Sequence, residues 1–224
     1  KDGVSYFYSL LIIGFSLLLL WFNVRYSKHI SHPLIDYSVM KINSYKVTIL
    51  TGSVSRMIIG VFPYLVPLMF QEGFGLNPFE SGLLFLSTMV GNLSMKSLTV
   101  WIMHRFRFRT ILIVNGCFSA LFTFFTASLM PTTPVYVIVL VLFTAGLFRS
   151  LQFSSLTTLA FTDTPASQTT AANTLYSTIQ QMSTGMGIAM GAVVLRFSNI
   201  INHGIAGHYT IPDFRLAFIF VTVL

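Results

Sequence analysis

Seven runs of almost uninterrupted apolar residues, at 6–26, 45–70, 79–103, 110–130, 135–161, 170–197 and from 214 onward, fill this chain and leave only short loops between them. Runs of about twenty residues without strand-like alternation suit helices across a bilayer, where every backbone N–H and C=O must be paired internally. Composition agrees: 8% of the 224 residues are charged and 54% are apolar, whereas a soluble domain carries about a quarter charged. The sequence predicts an all-α, polytopic transmembrane helical bundle.

The loops orient it. The loop around 25–46 carries Arg25, Lys28, Lys41 and Lys46, and that around 104–110 carries Arg105, Arg107 and Arg109. Between them, 71–78 holds Glu72 and no Lys or Arg, and 131–134 has no charge. Positive-inside bias places the first and third loops in the cytoplasm. Loop five, with Asp163 alone, gives no support, and Arg196 and Arg215 flank the sixth loop against the rule. The same bias accounts for the net charge of +7 without invoking nucleic acid. Helix starts are predicted at Asn77-Pro78-Phe79-Glu80, a capping box with proline at the first helical position, and at Thr133-Pro134 and Thr164-Pro165. No internal repeat is legible.

Polar groups at membrane depth carry the functional information. Arg56 and Arg149 fall near the midpoints of segments two and five, and Lys96 lies toward the cytoplasmic end of segment three. A cation at depth costs on the order of 3 kcal/mol and ordinarily faces a bundle interior or a water cavity. Two readings stand for these cations: they line a solvated pathway, or they bind helix carbonyls and carboxylates from elsewhere. Lys96 has a third, snorkelling to the interface. All six acids (Asp2, Asp36, Glu72, Glu80, Asp163, Asp213) lie in loops or at helix ends, so no intramembrane carboxylate pairs with the three cations. The five histidines are in loops and form no relay, no metal-ligand pattern appears, and Cys117 is the single cysteine.

Segment two sets Gly52, Arg56 and Gly60 on one face, followed by Pro63 and Pro67, which break the hydrogen-bond ladder and leave free carbonyls. Such kinks suit a rocking helix as well as a static one. Segment six lines a face with Asn173, Ser177, Gln180, Gln181 and Thr184, either bonded across helices or bordering a path. Its Gly187-x-x-x-Gly191 suits close helix packing. Gln152, Ser154, Ser155, Thr157 and Thr158 follow Arg149 in segment five.

Four pieces of sequence carry a resemblance: Gly73-Phe-Gly-x-x-Pro78-Phe79-x-x-Gly82; Met95-Lys96; Gln152-Phe-Ser-Ser-x-x-Thr-Leu159; and Asn173-x6-Gln180-Gln181-x-Ser183-x3-Gly187. In this order and spacing the chain resembles the C-terminal part of the fourteen-helix drug–proton antiporters of the major facilitator superfamily (EmrB/QacA type), from about Pro33 to Arg196. The resemblance implies a transmembrane linker helix at 1–28, a cytoplasmic linker at 29–44, and a C-terminal six-helix half at 45–224 with an incomplete last helix. It further implies a multi-pass protein of the bacterial cytoplasmic membrane, working with an N-terminal half beyond this chain that keeps the proton-coupling acids. Its activity would be proton-coupled efflux of small molecules by alternating access, with no cofactor, no metal and no catalytic residue. The substrate pathway implied comprises Arg56, Lys96, Arg149, Gln152, Asn173, Gln180 and Gln181; conformational roles go to Gly60, Pro63, Pro67, Arg105 and Arg109.

The departures are specific. The superfamily's loop signature Asp/Asn-Arg-x-Gly-x-Arg-Arg becomes His104-Arg-Phe-Arg107-Phe-Arg109-Thr110, replacing the acid, the glycine and the last arginine. An Asn carried by near relatives in segment five is Thr157. Two other classes compete. The chain starts at Lys1 without an initiator Met and stops eleven residues into an apolar run, which suits a truncated, transport-inactive remnant. An intramembrane enzyme or seven-helix receptor is disfavoured by the absence of His-Glu-x-x-His, Gly-x-Ser-x-Gly and paired buried acids.

Overall fold

The computed structural model describes residues 2–27, 37–203 and 208–223. It contains α1 (Asp2–Ser27), α2 (Asn43–Leu68), α3 (Pro78–Arg105), α4 (Phe108–Ala127), α5 (Val135–Phe161), α6 (Thr169–His203) and α7 (Ile211–Val223). Five spans, built on α2 to α6, are long and apolar enough to cross a membrane. In α1 the apolar stretch is Leu10–Leu19, and α7 has 13 residues. Of the cytoplasmic linker expected at 29–44, residues 29–36 lie outside the described ones. Its end, Tyr37–Lys41, is a short 3-10 helix that buries Val39 beside Tyr45 and Ile49.

Local chemistry sets the helix ends. Asn77 Oδ1 accepts from the Glu80 amide at 2.8 Å while Glu80 Oε2 accepts from the Asn77 amide at 3.2 Å, and Pro78 opens α3. The other two proline starts differ from expectation. Pro134 itself occupies the N-cap of α5, and the Thr133 hydroxyl accepts from the Met130 amide instead. Thr164 donates back to the Ala160 carbonyl at 3.2 Å, closing α5 rather than opening α6. A threonine hydroxyl in reach of a preceding turn competes with its capping role. At the start of α7, Asp213 is fully buried and accepts from Asn199 at 2.9 Å, Asn202 at 2.6 Å and the Thr210 amide at 2.9 Å. This acid ties the end of α6 to the start of α7.

Two helix pairs form the centre of the bundle, α2 against α6 and α3 against α5, with α4 and α7 packed alongside. Each pair crosses on glycine. A Cβ on Gly60 would fall on the Thr184 backbone, and one on Gly187 on the Met57 carbonyl. In the second pair, Gly91 meets the Phe143 carbonyl and Gly146 that of Thr88. The Gly187-x-x-x-Gly191 stripe therefore serves packing, as small residues do in membrane bundles. The largest buried cluster joins Phe62, Leu65 and Phe70 to Leu142, Leu195, Phe214 and Phe218. Outward faces are apolar too: Leu93, Trp101 and Val193 are each more than 60% exposed, the inversion expected where lipid is the solvent.

Candidate functional site

Arg149 stands where α5 meets α2 near Pro63. An α-helical carbonyl accepts from the amide four residues on, and Pro63 has no N–H to offer Ile59. The Arg149 guanidinium supplies that bond, donating through Nη2 to the Ile59 carbonyl. Its planar face lies over the Phe62 ring, with Cζ 3.9 Å from the centroid. The charge is thus held by a carbonyl dipole and a ring quadrupole, with no carboxylate in contact among the described residues.

Two clefts open on either side of this arginine. One, of about 290 Å³, lies between α2, α3 and α5, where Lys96, Thr88, Asn92, Ser150 and Ser154 line it with Arg149. The Thr88 hydroxyl is buried there without a hydrogen-bond partner among the described residues. The other, of about 330 Å³, runs between α2, α4, α5 and α7, with Gln152, Ser119, Thr123 and Cys117 on its walls. Gln152 is fixed in it by Asn115, whose Nδ2 donates to Gln152 Oε1 at 2.9 Å and to the Phe148 carbonyl at 2.8 Å.

Arg56 is placed differently. It is 1% exposed, lines neither cleft, and its three guanidinium nitrogens have no hydrogen-bond partner among the described residues. The group folds back toward Gly52, where a Cβ would stand 3.1 Å from Nη1, and stacks on Tyr176 with Cζ 4.5 Å from the ring centroid. Tyr176 is anchored by a 2.7 Å bond between its hydroxyl and that of Thr157. Thr157 therefore holds the ring that lies under Arg56.

Of the α6 amides, Asn173 and Gln181 are exposed and Gln180 half-buried. They do not join Arg149; Asn173 lies instead beside Phe161, Thr169 and Thr170. Gly60 sits in the α2–α6 crossing. The Pro67 carbonyl accepts from the buried Ser81 hydroxyl at 2.9 Å, just before the π-type turn at Met69–Gly73. Arg105 closes α3 and Arg109 opens α4, both exposed. Asn92, Asn115 and Thr88 escaped the sequence reading, although the first two carried a signal: each is a lone amide inside a long apolar run.

Residues 4–189 match the family model described as Major Facilitator Superfamily. Among curated relatives, the chain is 29% identical over 189 residues to a "Putative multidrug resistance protein MdtD" of Pectobacterium carotovorum, covering 84% of this chain and 40% of that protein. Proteins of the same name from Serratia proteamaculans and Escherichia coli O6:H1 are each 28% identical, over 74% and 83% of the chain and 35% and 39% of their own lengths. The chain thus spans about two fifths of the length of the relatives it matches. It belongs to the Major Facilitator Superfamily, as a multi-pass protein of the cell membrane.

Proposed function

We propose that this chain is the C-terminal part of a secondary transporter that exports small molecules, driven by proton entry, through alternating access of two helical halves. The observation that carries this reading is the cleft between α2, α3 and α5, where Lys96 and Arg149 meet Asn92, Ser150 and Ser154 beside a helix with Pro63 and Pro67 inside it. Two cations at one polar cleft within membrane-spanning helices suit a water-filled route, since facing lipid they would be costly. The names of the relatives support efflux of drugs. Alpha-helix α1 is the linker helix of this scheme, and the α6 amides Asn173 and Gln181 face the other half, which brings the proton-coupling carboxylate. Arg56 contributes from behind the pathway wall, by holding α2 against Tyr176 of α6.

The test is dye efflux by the complete transporter in everted vesicles under an imposed pH gradient. Arg149→Ala abolishes gradient-driven efflux, and Arg149→Lys, which keeps the charge but loses the planar fork, retains a fraction of it. Efflux that ignores both the gradient and these substitutions refutes the proposal.

A further inference from the structure

A third depression, of about 450 Å³, is unlike the two beside Arg149: it is an apolar groove on the outer surface of α3 and α4, floored by Phe148 and Leu151 of α5. Trp101, Phe106, Val114 and Phe118 form its walls. At one end it meets the α3–α4 junction, where Arg105, Arg107 and Arg109 are exposed and their side chains have no ion-pair or hydrogen-bond partner among the described residues. Phe106 lines the groove between two of these arginines, and Thr110 lines it next to the third. No Asp or Glu occurs between Glu80 and Asp163, so nothing on α3 beyond its first turn, α4 or α5 neutralises the patch.

The structure assigns this groove and loop as a binding site for an anionic phospholipid, its acyl chain along Trp101, Val114 and Phe118 and its phosphate on the three arginines. Charge and apolar surface meet here in the order that a lipid presents them, phosphate at the membrane edge and hydrocarbon toward the middle. Arginine suits the phosphate through its bidentate fork. This assignment is independent of the transport proposal.

Trp101 is one of two tryptophans of this chain; in the complete transporter, replacing Trp21 and every tryptophan beyond the chain by phenylalanine leaves it as the sole indole reporter on the groove. That complete transporter is reconstituted in phosphatidylcholine vesicles containing equal mole fractions of either acyl-brominated phosphatidylglycerol or acyl-brominated phosphatidylcholine. Phosphatidylglycerol is expected to bind at least about fivefold more tightly, the effect of one arginine at a membrane surface, and so to quench Trp101 more. Arg105→Gln with Arg107→Gln and Arg109→Gln abolishes the preference, as does Val114→Phe, which fills the groove and leaves the arginines in place. Unchanged Trp101 emission in unbrominated phosphatidylcholine shows that each variant is folded. Equal quenching by both lipids in the parent overturns the assignment. So does a preference that survives Val114→Phe, which makes it surface attraction alone, or one displaced by soluble glycerol phosphate, which makes it a free-phosphate site.

Discussion

Gly91 of α3 and Gly146 of α5 meet at a crossing where neither helix has room for a side chain: a Cβ on the first would strike the Phe143 backbone, and one on the second the Thr88 backbone. The Ser150 hydroxyl, one turn on from Gly146, donates to the Asn92 carbonyl at 2.9 Å. Because Thr88, Asn92 and Ser150 all line the cleft that holds Arg149, this crossing sets the width of the proposed pathway.

Gly146→Ala forces the two backbones apart and is expected to destabilise the bundle by about 1–3 kcal/mol, the usual cost of overpacking. Gly82→Ala and Gly116→Ala meet nothing within 4 Å and serve as controls. The readout is the thermal unfolding midpoint in detergent, which falls for Gly146→Ala and holds for both controls.

The Arg149–Ile59 bond makes a second prediction, read in a double-mutant cycle. Arg149→Met leaves the Ile59 carbonyl unpaired next to Pro63, at a cost of about 1–3 kcal/mol for a buried polar group. Pro63→Ala restores an N–H to that carbonyl, so the same arginine substitution costs less in the Pro63→Ala background. Additive losses in chemical denaturation contradict the assignment; a coupling of about 1 kcal/mol supports it.

Most of the fold was legible before the structure, because the requirement to pair every backbone group in lipid leaves helices as the economical solution for long apolar runs. The segment predicted at 135–161 coincides with α5, and the capping box at Asn77 and Glu80 is present. What failed was local competition, as at Thr133 and Thr164, whose hydroxyls bond elsewhere. The site was half legible. Sequence depth identified Arg149 and Lys96, which share a cleft. Depth alone did not separate Arg149 from Arg56, which lies between α2 and α6 under Tyr176. Such a difference depends on helix rotation and on which glycine makes room. The pairing of Pro63 with Arg149 joins residues 86 positions apart and has no local signature. Acid position was read correctly for Asp213, but its partners Asn199 and Asn202 approach only once α6 and α7 fold back on each other.

Arg56 yields the third prediction. A buried charge without hydrogen bonds carries a desolvation penalty of several kcal/mol, against about 2 kcal/mol from a desolvated cation–π contact. Arg56→Met, which keeps the length of the side chain, is therefore expected to leave the unfolding midpoint unchanged or raise it, while lowering efflux by the complete transporter. A midpoint that drops as far as for Gly146→Ala shows instead that the guanidinium is satisfied in the folded protein.

The hydrated character of the cleft beside Lys96 and Arg149 is tested most directly by thiol chemistry at Ser154, one of its lining residues. In the complete transporter with its remaining cysteines, Cys117 included, replaced by alanine, Ser154→Cys introduces a thiol that differs from the native side chain by one atom. Modification by a charged, membrane-impermeant thiol reagent, slowed when a transported dye is added, is the predicted result. Reaction with lipophilic reagents alone, at a rate indifferent to the dye, contradicts the account.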